Sequence, residues 1–306
     1  MKLEKNVVLK KYTTFKIGGP AEFFVNAKTI KDLTEALKWA KENNQPVKVL
    51  GGGSNMLISD QGLKGLVLKL TLDKLEFDGE KIIVGSGVVL AYLLNQALDN
   101  NLIGLEFAAG IPGTVGGAIR GNAGTYGLAM DSVVNKIQYI DQNFELKEME
   151  KDQANFSYRH SIFKENPYII VEAELNLKKG DVAAARALVA ERLKYRQDTQ
   201  PNLPSAGCIF KNIRFEDVDL EALKARNIDI EKFSQYKKIP AAYMIERAGL
   251  KGHKIGDAQI SEIHGNYIVN LGSATAEQVI MLISFIKQQV RDKYGIQLME
   301  EVQLII

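Results

Sequence analysis

Two stretches of this chain carry glycine at a density that ordinary turns do not need. Val49 to Asp60 reads VLGGGSNMLISD, with Gly51, Gly52 and Gly53 followed by Ser54 and Asn55. Gly104 to Gly127 reads GLEFAAGIPGTVGGAIRGNAGTYG, with glycine at 104, 110, 113, 116, 117, 121, 124 and 127. Glycine loses the most backbone entropy on folding, so such runs suit places where the main chain takes positive φ or must let another group come close. Successive N–H groups in a glycine turn form a concave anion site, and Ser, Thr and Asn side chains add donors to it. Two such loops in one chain point to a single extended, phosphate-bearing ligand, with plain tight turns as the alternative. Neither is a Walker A, because no Gly-Lys-Ser/Thr follows, and Gly51-x-Gly53 runs into Ser54-Asn55-Met56 rather than the third glycine of a Rossmann fingerprint. The expectation is a nucleotide held by a less common fold.

Three further clusters offer reactive side chains. Tyr158-Arg159-His160-Ser161 lies in a polar loop, where a guanidinium fork can clamp a carboxylate or simply make a surface ion pair. Cys208, the only thiol, follows the small turn Ser205-Ala206-Gly207; it is either functional or a small buried hydrophobe. Glu300-Glu301 lies between Leu298-Met299 and Val302-Gln303-Leu304, where strand alternation would send the two carboxylates to opposite faces. An inward carboxylate needs a partner or a task.

The elements that hold these residues can be read from periodicity and breakers. Tyr12 to Val25 is β-rich and interrupted at Gly18-Gly19-Pro20, and Thr29 caps a helix with Ile30, Leu33, Leu37 and Ala40 on one face, ended by Asn43-Asn44. Val47 to Leu50 is expected as a short buried strand feeding the first glycine loop, and Val67, Leu68 and Leu70 mark another. Beyond Leu75 come a hairpin turn at Phe77–Glu80, a helix over Val89–Asn100, paired strands over Val133–Ile140 and Glu145–Met149, a strand over Tyr168–Leu177 and a helix over Val182–Tyr195. Pro201 and Pro204 end that helix and mark a boundary. The last third is read as a strand over Cys208–Lys211, a helix with Pro240 at its first position, a strand over Tyr267–Asn270, a helix from Thr275 to Tyr294 with Val279, Leu282, Ile283, Ile286 and Val290 on its apolar face, and a strand over Gln297–Ile306. The fold class is α+β, in blocks 1–70, 71–200 and 201–306.

Composition narrows the partners. At 306 residues, 46% hydrophobic and 25% charged, the chain is globular and long enough for real cores. A formal net charge of +2 gives no general attraction for nucleic acid, and the longest apolar run, Val279–Ile286, is too short to span a bilayer. Met1-Lys2-Leu3-Glu4-Lys5-Asn6 lacks the apolar core of a signal peptide, so a cytoplasmic location is expected. One cysteine and three widely spaced histidines (His160, His253, His264) give no metal-ligand pattern, so no metal is expected.

Taken together and in order, the motifs resemble those of the UDP-N-acetylenolpyruvoylglucosamine reductases. The resemblance rests on Thr13-Thr14-Phe15-Lys16-Ile17-Gly18-Gly19-Pro20, Leu50-Gly51-Gly52-Gly53-Ser54-Asn55, Gly110-Ile111-Pro112-Gly113-Thr114-Val115-Gly116-Gly117, Tyr158-Arg159 with Ser161-Ile162-Phe163, Gly207-Cys208-Ile209-Phe210-Lys211-Asn212 and Glu301-Val302. It spans nearly the whole chain. It implies an FAD-binding fold of the vanillyl-alcohol-oxidase (PCMH) type in two subdomains, blocks 1–70 and 71–200, with a C-terminal substrate-binding α+β domain. Non-covalent FAD would lie on Gly51, Gly52, Gly53, Ser54, Asn55, Gly110, Pro112, Gly113, Thr114, Gly116, Gly117 and Ala118. NADPH would be the hydride donor, UDP-N-acetylglucosamine enolpyruvate the substrate, and a monomer the expected state.

The resemblance also assigns roles. Arg159 and Glu301 would stabilise negative charge developing toward the substrate carboxylate, Glu301 as a protonated donor if burial raises its pKa. Cys208 stands where many members have serine, and a thiol, with a reference pKa of about 8.5, is a better acid than a hydroxyl, so Cys208 would supply the proton. Tyr158, Arg196, Gln200, Lys211, Asn212 and His264 match substrate-contacting regions. Only Lys178-Lys179-Gly180-Asp181 separates the Tyr168 strand from the next helix, so the chain resembles the shorter subtype that lacks a tyrosine-bearing insertion there. Two other readings stand beside this one: an FAD-dependent alcohol or sugar oxidase of the same fold, and a nucleotide-binding regulator without catalysis.

Overall fold

A computed structural model describes residues 1–306, and contacts divide them into two compact units. The first holds residues 1–7, 21–53 and 63–196; the second holds 8–20, 54–62 and 197–306. This differs from division into continuous blocks, because two short N-terminal segments belong with the C-terminal third.

The first unit contains two sheets. One has the strand order Leu3–Val8, Pro20–Ala27, Leu63–Leu70, Val47–Leu50, with Leu63–Leu70 parallel to both Pro20–Ala27 and Val47–Leu50. Helix Ile30–Glu42 covers it through Leu33, Ala36, Leu37 and Ala40, all buried with Val25, Leu66 and Leu68. Thr29 and Asp32 close a reciprocal capping box at its start, as the Thr29 reading implied. Val47–Leu50 is not the buried strand expected: it sits at the sheet edge and only Leu50 is buried. An edge strand needs no apolar cover on both faces, so Lys48 and Val49 can face solvent.

The second sheet is antiparallel, in the order Leu146–Glu150, Val134–Ile140, Ile169–Asn176, Lys81–Gly85, Leu75–Asp78. Ile82, Val84, Ile137, Ala173 and Leu175 pack with helices Leu90–Asp99 and Val115–Arg120 through Leu93, Leu94, Val115 and Ile119. Helix Val182–Thr199 runs four residues past the predicted Tyr195 end and stops at Gln200, since Pro201 disfavours helical backbone in the residue before it.

The second unit is built on an antiparallel sheet in the order Ser205–Cys208, Tyr267–Asn270, Ala258–Ile260, Lys254–Ile255. Helix Ala276–Tyr294 buries the five apolar positions read from the sequence, with Thr275 and Gln278 forming a capping box and Gly295 closing it at φ +72°. Pro240 is the N-cap of helix Ala241–Arg247 rather than its first residue. The two N-terminal segments are stitched into this unit. Thr14 Oγ1 donates to Ser205 O (2.7 Å), Asn270 Nδ2 donates to Phe15 O (3.1 Å), and Asp60 Oδ2 accepts from Ala276 N (2.6 Å). Phe15, Ile17 and Leu57 are fully part of its core.

The terminal strand is shorter than predicted. Only Gln303–Ile305 is regular, parallel to Met56–Ile58, while Glu300 forms a single bridge with Phe210. Glu301 N (2.8 Å) and Val302 N (3.3 Å) converge on the one carbonyl of Ile209, which breaks the ladder and ends the simple alternation.

Candidate active site

In the first unit the two glycine loops touch. A Cβ built on Gly52 would lie 2.5 Å from Gly113 Cα, and one on Gly51 would lie 3.0 Å from Thr114 Oγ1. At Gly52 a side chain cannot be added without moving main chain, and at Gly51 it would press on the Thr114 hydroxyl, which is the close approach that the glycine density foretold. Gly53 and Gly113 take φ of +65° and +126°. Lys69 Nζ donates to Gly51 O and latches the first loop to its neighbouring strand; burial pushes the Lys69 pKa down.

A third segment, Gly85-Ser86-Gly87, completes this nest, and the sequence reading missed it. Gly116 N donates to Ser86 O (2.9 Å), Val115 N to Val88 O (2.9 Å) and Leu90 N to Gly113 O (3.0 Å), so residues 86–90 are laced to residues 113–116. A Cβ on Gly116 would lie 2.7 Å from Ser86 Cβ. The available signal was the Gly-Ser-Gly triplet closing strand Lys81–Gly85.

The nest fits a phosphate-bearing dinucleotide on one further observation. The hydroxyls of Ser86 and Thr114 are buried and find no hydrogen-bond partner in the protein. Buried polar groups are almost always partnered, and two orphans bordering one glycine-lined nest mark a place for ligand oxygens. Among the other predicted cofactor residues, Ala118 is turned into the apolar core and its amide is used by Thr114 O, while Ser54 and Asn55 group with the second unit.

The same unit fixes Arg159. Reciprocal bonds between Ser157 and His160 close a tight turn on Tyr158-Arg159, with Arg159 at φ +57°. Arg159 Nη1 donates to Gly124 O (3.0 Å), Ser161 Oγ to Arg120 O (2.8 Å) and Asn122 Nδ2 to Ser157 O (3.0 Å), so the turn is tied to the second glycine stretch at three points. Arg196 lies across Gly110, where a Cβ would meet its Cδ at 2.4 Å. One turn earlier on that helix, Arg192 stacks 4.4 Å from the Tyr126 ring, keeps a buried Nη1 without a partner, and lines a pocket with Leu188, Glu191 and Tyr195. Tyr126 and Arg192 were not singled out from sequence; the i, i+4 spacing of Arg192 and Arg196 was the signal.

The second unit assembles the remaining candidates. Cys208, half-buried and in no disulfide, ends strand Ser205–Cys208 opposite Tyr267. The strand lies earlier than the predicted Cys208–Lys211 because Gly207, at φ +76°, shifts the register between Ser205 and Cys208. Asn266 then brackets Phe210, accepting from its N–H (2.9 Å) and donating to its carbonyl (2.8 Å). Glu301 N on Ile209 O and Lys211 N on Met299 O (2.8 Å each) set the Glu301 main chain beside that of Cys208. Asn55 Nδ2 also holds Glu301 O (3.1 Å).

Of the adjacent carboxylates, Glu300 is paired with Lys287 (2.6 Å), and Glu300 and Glu301 are both half-buried, so neither is the wholly inward member of an alternating pair. Asn212 Oδ1 accepts from Ala241 N (3.2 Å) at the start of a helix, and Gln200 follows the long helix of residues 182–199. His264 sits in a turn whose Ser261 Oγ accepts its N–H (3.3 Å), with its ring edge-on to Tyr267 at 4.8 Å.

Burial pushes the His264 pKa below the ordinary histidine value, the Glu246 charge opposing this only in part. An unfolded chain therefore binds the proton more readily, so the stability this group contributes is present above about pH 6.5 and is lost as pH falls. Urea melts of His264→Gln between pH 7.5 and 5 are expected to show a shallower fall in stability than the parent; an unchanged slope would remove His264 as its source.

Comparison with known proteins places these features. Residues 21–148 match the FAD binding domain model, and residues 199–305 match the C-terminal domain of UDP-N-acetylenolpyruvoylglucosamine reductase. The glycine nest thus lies in an FAD-binding domain. Reductases of that name from Clostridium novyi (35% identical, covering 99% of this chain and 92% of theirs) and Halalkalibacterium halodurans (39%, 98% and 93%) align along the chain. The crystal structure of the enzyme from Thermus caldophilus superposes with a TM-score of 0.81 at 31% identity over 100% of both chains. The chain belongs to the UDP-N-acetylenolpyruvoylglucosamine reductase family.

Proposed function

We propose that this chain is an FAD- and NADPH-dependent reductase that converts the enolpyruvyl ether of UDP-N-acetylglucosamine enolpyruvate to the lactyl ether of UDP-N-acetylmuramate, a peptidoglycan precursor. The observation that carries the reading is the nest of Gly51–Gly53, Ser86 and Gly113–Gly117, with two orphan hydroxyls, inside a chain of this family. Gly51–Gly53, Ser86 and Gly113–Gly117 would hold FAD, which when bound would supply reversible two-electron (hydride) chemistry between NADPH and the enolpyruvyl group.

The protein's own groups do the rest. The glycine main chain would hold the dinucleotide, with Lys69 latching its first loop through Gly51 O. Arg159, fixed through Gly124 O, presents a cationic fork to the substrate carboxylate. Glu301 shares that charge as a donor, and Cys208 Sγ–H delivers the proton to the carbon beside the one that receives hydride. Arg192, Arg196 and Tyr126 offer two charges and an aromatic face suited to a nucleoside diphosphate, and Tyr158, Gln200, Lys211, Asn212 and His264 are further substrate contacts. Blocks 1–70 and 71–200 are proposed as the two halves of the flavin-binding region and block 201–306 as the substrate domain.

No helix is long and apolar enough to cross a membrane, and we place the protein in the cytoplasm as a monomer. Purified protein should be yellow, should oxidise one equivalent of NADPH per flavin on its own, and should consume NADPH catalytically only when the enolpyruvyl sugar is present. Oxygen consumption with an alcohol or sugar would instead favour an oxidase, and a colourless protein that binds no added FAD would favour a regulator.

A further inference from the structure

We infer that Ser86 is a cofactor-contacting residue whose hydroxyl donates a hydrogen bond to an oxygen of the bound dinucleotide; this rests on the flavoenzyme reading above. Ser86 is 2% exposed, and its Oγ has no partner in the protein. Its main chain is fixed on both sides, with its N–H on Val171 O (2.9 Å) and its carbonyl taken by Gly116 N (2.9 Å). The flanking glycines are held too, Gly85 N on Lys74 O (2.8 Å) and Gly87 N on Leu72 O (2.9 Å). The side chain therefore cannot find a partner by moving its backbone.

What borders it is the glycine stretch. Ser86 Cβ stands where a side chain on Gly116 would need to be, at 2.7 Å. Two residues before Gly116, Thr114 is in the same condition, 5% exposed with an unpartnered Oγ1, and it borders Gly51 across the nest. Hydroxyls from two separate segments, both stripped of water and both unsatisfied, are costly in the folded chain unless a ligand oxygen completes them. Thr114 lies within a recognised glycine motif; Ser86 lies outside it and extends the binding surface to the Gly85–Gly87 turn.

The test uses Ser86→Ala, which removes one oxygen and adds no bulk. Wild-type and variant apoprotein are titrated with FAD, following quenching of flavin fluorescence, and the melting temperature of each apoprotein is measured. The inference predicts effects of opposite sign: the Kd for FAD rises about five- to tenfold, while the variant apoprotein melts at the same or a higher temperature because a buried unsatisfied hydroxyl is gone. Unchanged FAD affinity in a variant whose parent binds FAD overturns the inference and leaves the flavoenzyme reading intact. Weaker binding accompanied by a lower melting temperature also overturns it, by showing that the hydroxyl serves the fold. If the wild-type protein binds no FAD at all, the flavoenzyme reading itself fails.

Discussion

Replacing Gly52 with alanine is expected to leave a folded protein that loses its flavin on gel filtration. The added methyl would stand 2.5 Å from Gly113 Cα and 3.1 Å from Gly113 C, and both are main-chain atoms that no rotamer change can move aside. One loop must shift, and overpacking of this kind costs about 1–3 kcal/mol. Because that cost falls on the cofactor nest rather than on an apolar core, it should appear as a roughly 10- to 100-fold rise in the Kd for FAD. Gly121→Ala is the control: it lies in the same glycine-rich stretch, but its nearest neighbour to a new Cβ is Gly117 O at 3.5 Å. That variant should stay yellow. Equal flavin retention by both variants would show that the contact between the loops does not hold the cofactor.

The larger kinetic effect is expected at Cys208. Cys208 ends its strand in backbone register with Tyr267 and is half-buried, so Cys208→Ala removes one side-chain atom and leaves the strand pairing in place. Reduction of the flavin by NADPH needs no proton on substrate carbon and should proceed at the parent rate. Reoxidation by the enolpyruvyl sugar does need it, and loss of a positioned general acid typically costs 10²–10⁴-fold, so stopped-flow traces should slow by about that factor in the second half-reaction alone. Cys208→Ser should recover much of the rate, since a hydroxyl can occupy the same place as a weaker acid. Equal slowing of both half-reactions would point to damaged flavin binding rather than a missing proton.

What the sequence disclosed, and what it hid, follows the range of the interactions involved. The Thr29 cap was legible because its side chain and Asp32 form a local pair written within four residues, while the helix placed from Thr275 starts one residue later, with Thr275 as its cap. Both glycine loops were legible for the same reason: a need for positive φ or close approach shows in one residue type. The grouping of Val8–Pro20 and Ser54–Gly62 with the C-terminal third was not legible. It depends on bonds such as Asn270 to Phe15 and Ala276 to Asp60, which join residues more than two hundred positions apart.

Candidate side chains fared in the same way. Arg159 and Cys208 stood out by type, whereas Ser86 is an ordinary residue made notable by a buried, unpartnered hydroxyl and by Gly116 packed against it. Arg192 has a sequence signal only in its i, i+4 spacing from Arg196, and the Tyr126 ring against it is a contact between distant segments. Apolar alternation from Gln297 onward looks like a regular strand, while the two amides converging on Ile209 O, which shorten it, depend on a partner strand distant in sequence.

The sharpest check on the whole account is a two-stage anaerobic titration of the purified protein followed at the flavin absorbance near 450 nm. NADPH should bleach the yellow colour stoichiometrically, and UDP-N-acetylglucosamine enolpyruvate, added after excess NADPH is removed, should restore it with one equivalent of UDP-N-acetylmuramate formed. Colour that returns only on admitting oxygen, with the enolpyruvyl sugar recovered unchanged, would contradict it.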